Sequence, residues 1–118
     1  MRALMMNTPL MISSILKHAE RNFPEVEMVS VTVDQSRHRQ NNRAFASRCR
    51  QLANALESLG AGFGDRIGTL AWNDFRHMEL YYAVSGSGMV CHTINPKLFP
   101  EQVAYIINHA EDKILFVD

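Results

Sequence analysis

The sequence predicts an α/β fold with a parallel sheet, and three observations in the second half of the chain carry that expectation. Short apolar runs at residues 67–72, 89–94 and 114–117 have the length of buried strands. Two segments of helix length separate them, with apolar residues recurring at helical spacing. The resulting β-α-β-α-β order over residues 64–118 is that of parallel strands joined by crossover helices, and residues 1–63 form a lead-in of helices and a hairpin. This pattern specifies an architecture and no chemistry, because many activities share it.

In chain order, the first expected element is an amphipathic helix with Thr8 as N-cap, Pro9 in the first turn, and Ile12, Ile15, Leu16 and Ala19 at helical spacing. Residues 22–24 stop it. Residues 25–33 then alternate, with Val29, Val31 and Val33 on one face and Met28, Ser30 and Thr32 on the other, as in a half-buried strand forming one arm of a hairpin. The run DQSRHRQNNR, residues 34–43, reads as a polar hairpin tip. A second helix is expected over 44–59, with Phe45, Cys49, Leu52, Ala53, Leu56 and Leu59 in one stripe and Gly60 as its stop.

Strand 67–72 ends at Asn73 and Asp74, either of which can cap the following helix. On that helix Phe75, Met78, Tyr81, Tyr82 and Ala83 form the apolar side, and Arg76, His77 and Glu79 the wet one. The next strand, MVCHTI, is apolar enough to be central in the sheet. Asn95 and Pro96 close it, residues 97–99 form a loop, and Pro100 starts a helix with Val103, Ala104, Ile106, Ile107 and Ala110 on its buried face. Asp112 and Lys113 turn the chain into the last strand.

Composition is that of a soluble globular chain of 118 residues, 47% hydrophobic and 20% charged, which excludes disordered and fibrous classes. Lys plus Arg and Asp plus Glu number 12 each, so no net field draws the chain to nucleic acid or to an anionic membrane. Arg37, Arg39, Arg43, Arg48 and Arg50 form a local basic run, read as either a phosphate patch or the solvated outside of a hairpin and helix. No stacking aromatics interleave them, which favours the solvated reading. Cys49 and Cys91 lack C-x-x-C spacing and read as reduced structural thiols. The apolar stretch 4–16 is too short to span a bilayer and is broken by Asn7, Thr8 and Pro9.

Nucleotide-loop, zincin, serine-elbow and paired-cysteine motifs are all absent. Gly60, Gly62 and Gly64 lead out of a helix into a strand, the reverse of a dinucleotide fingerprint. The histidines are scattered: His18 and His77 on helices, His38 in a loop, His92 in a strand as a satisfied core residue, and His109 at a helix end where its charge suits the dipole. Chemistry in such sheets gathers beyond the carboxyl ends of the strands, where Asn73, Asp74, Asn95, Lys97 and Asp118 fall. Asp74 with Asp118 resembles the layout of a phosphoacceptor receiver, an alternative together with a non-catalytic interaction module.

Residues 51–118 carry a specific resemblance. The runs LESLGAGFGDRIG, WNDFRHMEL, HTINPKLFPEQ and NHAEDK, in this order and spacing, resemble the beginning of fatty-acyl-CoA synthetases of the acyl-adenylate-forming superfamily. Residues 10–50 follow more loosely, with Arg43, Ala44 and Phe45 where relatives often carry a Thr-Tyr pair and Phe99 where a serine cap is common. The resemblance implies the N-terminal part of a large α/β domain that, when complete, joins a medium- or long-chain fatty acid to CoA with ATP and Mg²⁺ through an acyl-adenylate.

It also implies that the phosphate loop, the ribose-binding acid, the hinge and the catalytic lysine lie beyond Asp118. This chain then holds no catalytic or metal-binding residue and is inert alone. The position carried over is the loop Asn95, Pro96 and Lys97, which resembles the place where the large domain meets the CoA nucleotide. The reading further implies a cytoplasmic chain, peripheral at membranes at most, compatible with a homodimer and without a nucleic-acid partner. Acyl chain length is not legible, since the acid tunnel is lined from downstream.

Overall fold

The sequence alternation folds into nine elements in a computed structural model, which describes residues 6–118. They are α1 (Ile12–Asn22), β1 (Glu27–Val31), β2 (Arg37–Asn41), α2 (Asn42–Ser58), β3 (Arg66–Leu70), α3 (Phe75–Gly86), β4 (Val90–Thr93), α4 (Pro100–Ala110) and β5 (Ile114–Val117). β1 and β2 form an antiparallel hairpin, and β4, β3 and β5, in that order, form a parallel sheet. The expected α/β class and parallel sheet are therefore present. β3 rather than β4 is central, because the chain returns across β3 to lay β5 on its other side. Right-handed crossovers then place α3 and α4 on opposite faces of the sheet.

The core lies on the α2–α3 face. Leu56, Ala61, Ile67, Leu80, Val84 and Met89 pack together there, joined by half-buried Leu52, Cys91, Ile114 and Phe116. Leu56, Ile67 and Val84 are fully covered, each contributing about 1.5–3 kcal/mol of apolar burial. On the opposite face Gly68 sits level with His92 and Leu115. A side chain at Gly68 would meet Leu115 Cδ1 at 2.8 Å and Asp112 Oδ2 at 2.9 Å, so only glycine lets the carboxylate and the leucine approach the central strand.

Several elements differ from expectation for reasons the packing supplies. The stretch 4–16 begins with Leu4 and Met5, which lie outside the described residues; within the rest, α1 starts at Ile12 behind Met11, not at Thr8. Its first turn is held by Ser14 Oγ donating to the Met11 carbonyl at 2.6 Å. The polar run 34–43 holds a strand, since β2 pairs Arg39 with Val29 and His38 with Ser30. Backbone ladder bonds are blind to side-chain polarity, so a strand can form there. His38 thus stands in a strand rather than a loop, and α2 begins at Asn42, where Asn41 Oδ1 accepts from the Ala44 amide at 2.9 Å.

The hairpin covers its Met28 and Ser30 side and leaves Val29, Val31 and Val33 at 51–62% exposure. Ser30 Oγ accepts from the Phe75 amide at 3.0 Å and His38 stacks on the Phe75 ring at 3.7 Å, which turns that polar face inward. On α3, His77 and Glu79 are buried while Met78 and Tyr81 are exposed, the reverse of the expected wet and apolar sides. Leu59 likewise ends outside the core. Gly60 does stop α2, in the left-handed region at φ 85°.

Candidate functional site

The loop after β4 holds the three residues expected to meet a nucleotide. Asn95 Oδ1 accepts from the Lys97 amide at 3.0 Å, an Asx turn that sets the loop's direction. Asn95, Pro96 and Lys97 are all exposed, and the Lys97 ammonium has no ion-pair partner among the described residues. The turn presents a free positive charge beyond the carboxyl end of a strand, where it can reach an anion. Just downstream, Gln102 Oε1 accepts from the Phe99 amide at 3.2 Å, so glutamine supplies the return half of a cap that phenylalanine cannot make.

The other polar residues at the strand ends are committed to the fold. Asp74 caps α3: its Oδ1 accepts from the amides of Arg76 and His77 at 2.8 and 3.2 Å, and its Oδ2 takes the Arg76 guanidinium at 2.8 Å. Burial pushes its carboxyl up, but the His77 amide and the Arg76 contacts together outweigh this and hold it below the usual range. Asp118 Oδ2 accepts from the Trp72 amide at 2.8 Å, tying the end of β5 to the loop after β3. With both acids engaged by backbone donors, the receiver layout has no free carboxylate pair. Among the described residues no three His, Cys, Asp or Glu side chains cluster as a metal site. The residues present do not fit a Mg²⁺–nucleotide centre.

The basic run resolves into ion pairs. Arg39 meets Glu27 at 2.5 Å, Arg43 meets Glu25 at 2.7 Å, and Arg50 grips both oxygens of Glu20 at 2.8 and 2.9 Å. Arg48 donates to Glu79 at 2.5 Å, a carboxylate whose side chain is only 4% exposed. Four of the five arginines are thus neutralised within the fold, which removes the phosphate-patch reading of that run.

Three polar pairs with at least one covered member were not legible as such: Arg48 with Glu79, Thr69 with His77, and His92 with Asp112. His92 Nδ1 lies 2.9 Å from both Asp112 oxygens, so it has the partner expected of it, though on the half-buried face opposite the core rather than within it. Their sequence signal was weak, a charged or imidazole residue on an otherwise apolar strand or helix. Cys49 is 2% exposed and burial pushes its thiol up to about 12; Cys91 is shifted the same way by burial. Both are free thiols and chemically quiet.

Residues 16–118 match the family described as AMP-binding enzyme. Over 97% of its length the chain is 55% identical to a 3-methylmercaptopropionyl-CoA ligase of Ruegeria lacuscaerulensis and 50% identical to a medium-chain-fatty-acid–CoA ligase of Ectopseudomonas oleovorans. It spans 21% of the length of each of these relatives. Its fold superposes on a Mycobacterium tuberculosis fatty acyl CoA synthetase with a TM-score of 0.78, at 22% identity, over 90% of this chain and 21% of that one. No helix among the described residues is long and apolar enough to cross a membrane.

Proposed function

Because the chain belongs to the AMP-binding enzyme family, we propose that it is the N-terminal portion of one larger α/β domain in an ATP-dependent CoA ligase acting on medium- or long-chain fatty acids. The observation that carries this reading is co-linear identity of 50–55% with CoA ligases along nearly the whole chain. The complete enzyme uses ATP, Mg²⁺ and CoA, making an acyl-adenylate and then a thioester. Adenylation turns a poor carboxylate leaving group into a good one, and the charge that develops on phosphate is held by Mg²⁺ and cations. None of that machinery lies in these 118 residues, which are inert alone. A cytoplasmic location and a homodimer accompany the reading.

In this reading Asn95, Pro96 and Lys97 form a CoA-facing turn, with Lys97 attracting a phosphate of the nucleotide. The test is a chimaera in which this chain replaces the matching fifth of the Ectopseudomonas oleovorans ligase. Ligation of a medium-chain acid to CoA by the chimaera supports the proposal; a folded chimaera without ligation refutes it. Lys97→Ala in the chimaera should raise KM for CoA about threefold, the effect of one exposed charge contact worth roughly 0.5–1 kcal/mol, and leave adenylation unchanged. An unchanged KM removes Lys97 from the site.

A further inference from the structure

The buried side-chain polar atoms that lack a hydrogen-bond partner among the described residues are not scattered. His38 Nε2, Gln40 Oε1 and His77 Nδ1 all lie at one seam, where the hairpin packs on the N-terminal half of α3. His38 and Gln40 stand two positions apart on β2 and so share the face that looks onto the helix. His77 is 5% exposed. An unpartnered polar atom in the interior forfeits its hydration with nothing in return, so three at one contact call for a reason.

Between the hairpin and α3 lies a cleft of about 500 Å³ whose wall includes both Gln40 and His77. Met28, Phe75, Met78 and Tyr81 give it an apolar lining. The carboxylate on the wall, Asp74, is already held by the Arg76 guanidinium and two backbone amides, and no lysine or arginine lines the cleft. Hydrogen-bond polarity says which ligand fits such a place. His77 Nε2 is paired with the Thr69 hydroxyl, and when that hydroxyl donates, the ring proton stands on Nδ1. Gln40 Oε1 only accepts. A group that serves both must accept from Nδ1 and donate to Oε1, as a hydroxyl does. A carboxylate has no proton for Oε1, and a hydrocarbon leaves both atoms orphaned. We propose that this cleft is a binding site for a small neutral alcohol, its apolar body against Met28, Met78 and Tyr81 and its hydroxyl between Gln40 and His77. The site does not include the turn at Asn95, Pro96 and Lys97, and its ligand is uncharged, unlike the acid, ATP and CoA of the ligase reading. It therefore stands or falls apart from that reading.

The probe is benzyl alcohol, with toluene and benzoate as its hydrocarbon and charged counterparts, titrated into this chain isotope-labelled at the methionine methyl groups and followed by NMR. Benzyl alcohol should shift the Met28 and Met78 signals saturably and leave Met89, in the core beneath α3, unmoved. It should bind roughly tenfold more tightly than toluene, the difference made by satisfying a buried polar atom. Benzoate should bind more weakly than the alcohol. Gln40→Leu should erase the advantage of the alcohol over toluene while toluene still binds. Met78→Trp, at a partly exposed methionine, should fill the cleft and abolish binding of both. Circular dichroism confirms that each variant folds, and Met78→Trp carries the comparison if Gln40→Leu does not. Shifts that do not saturate, equal affinity for alcohol and toluene, tighter binding of benzoate, movement of Met89, or binding that a folded Met78→Trp leaves intact overturns the proposal.

Discussion

Thr69 on β3 and His77 on α3 are joined by a hydrogen bond of 2.9 Å between Oγ1 and Nε2, at the seam where the helix lies on the central strand. Both residues are buried, at 1% and 5% exposure, and the His77 ring stacks on Tyr81 at 4.7 Å. Among the described residues His77 Nδ1 has no hydrogen-bond partner and Thr69 is the ring's one polar contact. Thr69→Val keeps the shape and leaves the imidazole unsatisfied. The expected loss is about 1–3 kcal/mol in urea unfolding, the cost of an orphaned buried polar group. A variant within about 0.3 kcal/mol of the parent, inside the spread of ordinary surface substitutions, would show that the bond is not needed.

Arg48 reaches from α2 to a Glu79 carboxylate that is almost wholly covered. Arg48→Met strands that charge in the interior, and the expected cost is about 3 kcal/mol. The double variant Arg48→Met with Glu79→Met should recover most of it, since burying neither charge avoids the desolvation penalty. A double variant less stable than Arg48→Met alone would contradict this account.

Asp74 makes stability depend on acid. Its folded carboxyl titrates below the ordinary aspartate value of about 3.9, so its contribution is present at neutral pH and is lost as pH falls through the folded value. Asp74→Asn keeps the cap, because asparagine accepts the same amide bonds, but removes the charge that faces Arg76 and the helix dipole. The variant should lose about 0.3–1 kcal/mol at pH 7. The two proteins should converge as pH falls through that lowered folded value, where Asp74 takes up its proton. Urea midpoints measured from pH 7 to pH 2.5 give the comparison, and parallel curves would count against it.

Gly68 admits no side chain. Gly68→Ala should destabilise by about 1–3 kcal/mol, because its methyl must displace Leu115 and the fully covered Asp112 carboxylate. Gly86→Ala is the matching control. Its Cβ would find one neighbour, at 4.0 Å, and its position at the end of α3 favours alanine. Thermal unfolding of the two variants should shift in opposite directions.

The parts of this fold that were legible in the sequence are those governed by local pattern. Apolar runs in residues 64–118, Asp74 before a helix and Gly60 after one foretold the parallel strands, the α3 cap and the end of α2, because strand burial, capping and left-handed backbone act within a few residues. Ordered runs such as HTINPKLFPEQ likewise pointed to the family, through resemblance rather than physics. Tertiary structure decided the rest. Whether Met78 or His77 faces inward on α3 depends on Thr69 waiting on β3, 8 residues earlier, and on Arg48 arriving from α2, 31 residues before Glu79. The arginine run changed from a patch to a set of ion pairs once Glu20, Glu25, Glu27 and Glu79 were brought beside it. Which strand is central was settled by the return of β5 across β3. Contacts between distant residues are specified by the summed packing of the whole chain, and no window of sequence contains them.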